Sequence, residues 1–374
     1  DEPHYLITVV SLLKDGDLDV RNNYENIRNG GWDAGRRFQG DRLDHHTFII
    51  DKSSGQHRLW HSVFANRRVA CPPNAPDDEC FEKISPQDID FQNVEEINSH
   101  PVFYSAILAG IVGLITREEK QIEPTCIAVL IVCNWLALIA LYAIGKKIGL
   151  SRRWAMTGVL VLCFASPWLA YSRSLFTESF CGFLLLAALW FFLGKRILLC
   201  ALFIAIATAI KPVYVVIGFG WITYLLIKRE WRHGLMLTVT LGTLGAGICL
   251  FNYWLVGTIV VAGTMPWVFI SSLSQLAQPL VDIEHGLFLF APWAIFAFWW
   301  LIKSLRHIRR EAPDFDLLVA LPVLLYSVVL MVYAESHGGF CYGSRYWIPL
   351  LPLCALIFVR NVSQIKKRGM MFIL

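Results

Sequence analysis

Two carboxylates, Asp1 and Glu2, stand before Pro3 at the head of "DEPHYLITVVSLLKDGDLDV". Further along, Arg173, Glu178, Lys211, Glu335, His337 and Arg345 sit at the edges of long apolar runs. A positioned carboxylate takes the proton of an attacking hydroxyl. Arg and Lys hold the negative charge that grows on a departing phosphate, Arg in bidentate fashion and Lys as a point charge. Residues of these types, gathered in one place, would move a group from a phosphate to an alcohol. Each also has a plainer reading. Asp1 and Glu2 complement the dipole of the helix they open, Lys211 can snorkel to a membrane edge, and a salt-bridge network can occupy the rest. Against that, ionisable residues beside apolar spans are costly, and they mark functional sites by default.

Which groups can meet depends on the elements that carry them. The chain has 374 residues, 56% hydrophobic and 17% charged, with mean hydropathy +0.51. That composition excludes an ordinary soluble domain and predicts a polytopic membrane protein. Its 14 Trp and 24 Phe suit a lipid-facing surface with interfacial belts, and buried cores use the same residues. Apolar stretches at 124–144, 154–171, 179–193, 197–210, 212–227, 235–262, 286–302, 316–334 and 346–359 predict helices that cross or nearly cross a bilayer, which takes roughly 20 residues. Basic clusters "GKKIGLSRRW", "GKR", "KREWRHG", "KSLRHIRR" and "QIKKRG" fall on every second loop. By the positive-inside rule those loops are cytoplasmic. The intervening loops, with Arg173, Glu178, Lys211 and "ESHGGFCYGSRYW", then share the other face.

The first hundred residues are the polar part. Leu6, Val9, Val10 and Leu13 recur at helical spacing after Pro3 and "KDGD" supplies a stop, which predicts a short amphipathic helix over 3–14 lying on the outer membrane surface. "NNYENIRNGGWDAGRRFQGD" reads as loop. If the segment 102–116 spanned the membrane, residues 1–99 would be cytoplasmic; it is short and "TREEKQIEP" after it is mixed in charge, so it is expected instead to lie in the interface, which places the head outside. The chain opens on Asp1 rather than Met and shows no signal peptide, so a preceding helix that sets its topology is expected. Cys71 and Cys80 flank a Pro-rich loop that a disulfide could close in an outward compartment. "DHH" at 44–46 reads as a polar loop, and "DGDLD" with Asp17 and Asp19 as a helix-terminating turn, with a divalent metal possible but not favoured. "NVS" at Asn361 falls on the cytoplasmic side, where glycosylation has no meaning.

Taken in order, "DEPHYL" with "SLLKDGDLDV", "SHPVFYSAILAG", "SPWLAYSRSLFTESFCGFLLLAALWFF", "HGLFLFAPWAIF" and "GGFCYGSRYWIPLLPLCAL" resemble the GT-C superfamily of integral-membrane glycosyltransferases, in the branch of the protein O-mannosyltransferases and the lipid A aminoarabinose transferase. The resemblance implies an all-α polytopic membrane protein. A large extracytoplasmic loop with juxtamembrane helices would occupy 1–123, and a transmembrane helix bundle 124–374. It implies a polyprenyl-phosphate-linked sugar as donor and a bilayer site in a bacterial inner membrane, facing the periplasm. Asp1 carries over as catalytic base with Glu2 beside it. Arg345 of "GSRYW" and Lys211 carry over as donor-phosphate ligands, and the outward Arg173 joins them. His100 is a further donor-phosphate candidate by the resemblance; it stands in "HPV", where related chains often carry two prolines or a preceding Lys.

Tyr5, Tyr342 and Tyr346 could shape a sugar pocket, with Glu178, Glu335 and His337 as further substrate-binding groups. The expected reaction is transfer to an acceptor hydroxyl with inversion, on a lipid, a glycan or a protein, with no cofactor and no nucleic-acid partner. The alternative is a transporter or flippase of a lipid-linked or anionic substrate. No internal repeat supports it, and the ionisable groups lie at helix ends rather than mid-membrane. A non-catalytic membrane scaffold is the remaining reading.

Overall fold

The computed structural model describes residues 2–33, 47–51, 57–63, 67–71, 94–98, 100–257, 259, 273–308, 314–332, 343 and 345–371. They fall into two compact units, Asp1–Val129 with Ala246–Thr264, and Leu130–Gly245 with Met265–Leu374.

In the first unit, α1 (Glu2–Lys14) has an acid in its first turn and a base in its last, matching the helix dipole at both ends. It stops at Gly16, whose φ of +78° suits a residue without a side chain. Asp17 Oδ1 closes the turn by accepting the Asp19 amide at 3.2 Å and the Ser11 hydroxyl at 3.1 Å. Of the aspartates of "DGDLD", Asp17 therefore serves the helix stop, while Asp15 accepts from the Asn22 and Asn23 side chains and Asp19 from the Arg21 amide.

The stretch 22–41, expected as loop, begins instead with α2 (Arg21–Arg28). Beyond it come β1 (Thr47–Asp51), β2 (His57–Val63), β3 (Arg67–Cys71) and β4 (Val94–Asn98). The strands make one antiparallel sheet in the order β3-β2-β1-β4, with Thr47 opposite both Trp60 and Asn98. The all-α description thus holds for the helical bulk of the chain but not for this sheet. Two features read from the sequence, the "DHH" run at 44–46 and Cys80 of the suspected disulfide, lie outside the described residues.

A second difference concerns α1 itself. His4 through Ser11 are buried without interruption, so the helix has no solvent or membrane-surface face. The cause is in its sequence, since "HYLITVVS" is apolar or small nearly all round and offers no charged stripe. Ile7 packs with Val20, Tyr24 and Ile27 from α2 and the turn before it. On the other sides Asn98 Nδ2 donates to the His4 carbonyl at 2.9 Å, and the Ser105 hydroxyl to the Tyr5 carbonyl at 3.0 Å. Ser105 belongs to α3 (Val102–Gly113), which at 1.5 Å per residue reaches about 18 Å, well short of a bilayer core.

Next come α4 (Glu119–Lys147), α5 (Arg152–Phe164), α6 (Trp168–Tyr171), α7 (Thr177–Leu193), α8 (Ile197–Ile210), α9 (Val215–Ile227), α10 (Trp231–Val256), α11 (Leu273–Val281), α12 (Leu287–Phe290), α13 (Ala294–Ser304), α14 (Phe315–Val332) and α15 (Leu351–Met371). Each of the nine predicted apolar stretches carries helix. Glu119–Lys147, Trp231–Val256, Phe315–Val332 and Arg345–Ile365 are long and apolar enough to cross a membrane, which makes the chain an integral membrane protein. In the second unit α7 packs on α8, α9 on α14, and α5 and α13 on α15. At the α9–α14 seam a Cβ on Gly220 would meet the Pro322 backbone at 2.4 Å, so only glycine permits that approach.

The ends of these helices sort by charge. Two tight hairpins, α7–α8 and α9–α10, turn through Lys195 (φ 55°) and Arg229 (φ 58°). In each, the next amide reaches back to close the last helical turn, Arg196 to the Phe191 carbonyl at 2.9 Å and Glu230 to the Leu225 carbonyl at 2.8 Å. The hairpins are linked by Lys195 and Glu230 at 3.6 Å, and Lys147 at the end of α4 stands 4.5 Å over the Trp190 ring. At the opposite ends lie the start of α7, the end of α8 and the start of α9. Those ends carry the second set of chemistry-bearing residues.

Candidate functional site

Glu178 is the second residue of α7, just after Phe176 at the helix cap. An acid there is favoured by the helix dipole. Lys211 ends α8 in an extended conformation (φ −143°, ψ 115°), and Pro212 then opens the short 3-10 turn Pro212–Tyr214 that leads into α9. A proline at that point suits the residue before it being extended. Arg345 begins a second 3-10 segment, Arg345–Leu350, that runs into α15. Three separate helix ends therefore deliver three charged side chains.

They meet on one atom. Arg345 Nε donates to Glu178 Oε1 at 2.8 Å, and Lys211 Nζ donates to the same oxygen. Glu178 is fully buried, the Arg345 side chain is 5% exposed and that of Lys211 is 18% exposed. Aromatic faces complete the cluster. The Arg345 guanidinium lies 4.0 Å from the Phe176 ring centre, and Lys211 Nζ lies 4.9 Å from that of Tyr346, both within cation–π range. The second carboxylate oxygen, Glu178 Oε2, is buried and accepts no hydrogen bond among the described residues.

The support around this cluster is specific. The Tyr326 hydroxyl donates to the Tyr346 carbonyl at 2.9 Å, which fixes the residue after Arg345. Tyr326 also stacks on Tyr214 at 5.9 Å with rings 5° apart, so α14 braces both the Lys211 turn and the Arg345 segment. Behind α7, Asn134 Nδ2 donates to the Ser172 carbonyl at 3.1 Å, and the Ser179 hydroxyl to the Tyr171 carbonyl at 3.1 Å. Those bonds hold the 171–179 corner that presents Glu178.

In chemical terms the cluster gathers two cations about one internal carboxylate, leaving one net positive charge mostly shielded from water. In such a setting charge acts over short distances more strongly than it does in bulk water. Glu178, expected among the substrate-binding groups, lies buried against both cations, where it holds their orientation. Arg173, expected to join the phosphate ligands, is exposed and lies outside the cluster. It stands at the corner before α7, while Glu178, five residues on, enters the helix.

The other expected residues divide by unit. Tyr5 and His100 do come together in the first unit, with ring centres 5.2 Å apart. His100 also stacks on His4 at 5.3 Å, and His4 Nδ1 is 2.9 Å from the Tyr24 hydroxyl. Glu2 occupies the first turn of α1 and is partly buried. Asp1, Glu335, His337 and Tyr342 lie outside the described residues. Among the described residues no group of three or more His, Cys, Asp or Glu is placed to hold a metal ion.

Sequence reasoning missed Phe176, His4 and Tyr24. Phe176 had a usable signal, an aromatic two residues before the buried acid in "SLFTES". His4 looks in the sequence like one more residue of an amphipathic stretch, and only the complete burial of α1 gives it a role. Comparison with protein-family models, with curated proteins and with solved structures found no match to this chain.

Proposed function

We propose that the chain is an integral-membrane glycosyltransferase of the GT-C kind, using a polyprenyl-phosphate sugar as donor and acting in a bacterial inner membrane on the periplasmic face. The observation that carries this reading is the pairing of Lys211 and Arg345 on Glu178 at helix ends opposite the basic hairpin turns. A lipid-linked donor keeps its phosphate at the membrane edge, and shielded cations at helix ends are suited to hold it there.

In the reaction an acceptor hydroxyl attacks the anomeric carbon, the bond from that carbon to the phosphate oxygen breaks, and the hydroxyl proton passes to a carboxylate base. Polyprenyl phosphate leaves with the electron pair. Lys211 and Arg345 offset the charge that develops on it. Asp1, the base implied by the sequence resemblance, is tested by substitution on its own. In-line displacement gives inversion.

The test uses the full chain in lipid nanodiscs with a radiolabelled polyprenyl-phosphate hexose and a crude membrane-acceptor extract. Wild type should yield labelled product, and both Asp1→Asn and Arg345→Ala should abolish it while the chain still folds. Product formation that survives both substitutions rules the reading out. Movement of the labelled donor across a vesicle bilayer without product favours a flippase instead.

A further inference from the structure

Glu178 poses a question the proposed reaction leaves open. A buried carboxylate between two cations is weak evidence for stability, because desolvating three charges costs about as much as their attraction returns. Its Oε2 makes the case worse, being buried with no hydrogen bond among the described residues. An apolar or neutral residue here would leave Lys211 and Arg345 better able to attract anions. The retained acid therefore has a use that packing alone does not supply.

That use follows from its contacts. Oε1 receives both Lys211 and Arg345 Nε, so one unit of negative charge sits against the groups that would face a phosphate. The charge fixes where the cations point, and it lowers the potential they present to any ligand. The lowering is felt in proportion to ligand charge. A sugar–phosphate–lipid diester carries one negative charge, a monoester about 1.5 to 2 at neutral pH, and a diphosphate more. Glu178 penalises the more highly charged species most.

Resting on the reading of this cluster as a donor-phosphate site, we infer that Glu178 is a positioning and specificity-determining residue. It tunes Lys211 and Arg345 to accept a singly charged phosphodiester and to reject diphosphate-linked lipids. By the same contacts it limits retention of the monoester product, so release stays fast.

The experiment measures binding of three short-chain probes to the full chain in nanodiscs: methyl farnesyl phosphate, farnesyl phosphate and farnesyl diphosphate. Wild type should favour the diester over the diphosphate. In Glu178→Gln the diphosphate should gain at least about tenfold relative to the diester, given one unit charge acting over a few ångströms in a shielded site. Glu178→Asp, which keeps the charge, should keep the wild-type order. The double variant Glu178→Gln/Lys211→Met removes one charge of each sign and should return the ratio toward wild type, which a merely structural role for Glu178 would not produce.

A diester-to-diphosphate ratio unchanged in Glu178→Gln, with all three probes still bound, overturns the inference and leaves the donor-phosphate reading intact. A wild-type chain that binds none of the probes, or binds them as well after Arg345→Ala, overturns the reading on which it rests. If Glu178→Gln fails to fold, Glu178→Asp and the double variant decide. Wild-type preference in both then supports the inference, and loss of that preference in either counts against it.

Discussion

Gly182 admits Pro349: a Cβ on this glycine would stand 3.4 Å from the Pro349 Cα and 2.7 Å from the Trp168 ring. Gly182 is one helical turn beyond Glu178, and Pro349 is four residues beyond Arg345. The close approach and the ion pair are successive rungs of one seam between α7 and the Arg345–Leu350 segment. Gly182→Val should cost about 1–3 kcal/mol through overpacking and should weaken farnesyl phosphate binding along with it. Thermal unfolding and a binding titration on the same nanodisc sample check both. A variant as stable and as competent as wild type would show that the seam does not set the cluster.

Arg345 donates through Nε while its planar guanidinium stacks on Phe176, and lysine, a point charge without that fork, reproduces the pair of contacts poorly. Arg345→Ala leaves a buried carboxylate with half its compensation, a loss of about 3–5 kcal/mol in comparable cases. Arg345→Lys should fall between alanine and wild type in stability and lie closer to alanine in phosphate affinity. Denaturant unfolding in detergent orders the three; lysine indistinguishable from arginine in both readouts would remove the argument from geometry.

In the first unit, Lys14 Nζ lies 3.3 Å from Asp33 and 3.4 Å from Glu119. Burial lowers the Lys14 pKa, but the attraction of Asp33 and Glu119 outweighs it and leaves the group above the ordinary lysine value. A pKa raised in the folded state adds stability below the unfolded value, near 10.4, and that contribution fades as pH rises through the folded value. Lys14→Met should therefore destabilise the first unit at neutral pH, by about 1–2 kcal/mol after solvent screening of a partly exposed amine. The difference from wild type should shrink in strongly alkaline buffer. Proteolysis of the amino-terminal region across pH tests this, and a gap that widens with pH contradicts it.

The charge sorting of helix ends fixes which residues share a face. Arg173 is exposed at the end that holds the ion cluster, and Arg196 is exposed at the basic end. Arg173→Cys and Arg196→Cys should be modified by an impermeant maleimide from opposite sides of sealed vesicles. Labelling of both from one side would overturn the alternating arrangement.

Much of the second unit was legible because its spans are continuous apolar runs punctuated by basic turns. Even the 14-residue α8 was marked by "GKR" before it and "KP" after it. That Glu178, Lys211 and Arg345 share one end was also readable, since helix parity and ionisable residues at the edges of apolar runs both pointed there. What was not legible was the partnership itself. Nothing in linear spacing says that Glu178 is buried while Arg173 is exposed, because that depends on where α7 begins. The sheet was hidden for a different reason. Its strands are only five to seven residues long and mix charge or His with their apolar positions, so period-two patterning never rose above the surrounding Gly, Asn and charge. For α1 the helix was found but its setting was not, since four apolar positions on one face said nothing about the small polar residues between them.

The distances along the chain between the three charged partners also bear on biogenesis. Glu178 and Lys211 belong to the adjacent helices α7 and α8, so they can enter the lipid as one neutral hairpin, sparing each the expense of a lone charge. Arg345 is made on the order of ten seconds later at ordinary elongation rates. The carboxylate is thus already neutralised by a near neighbour when the last cation arrives, and a ribosome-stalled intermediate ending before residue 345 should insert with α7 and α8 stably in place.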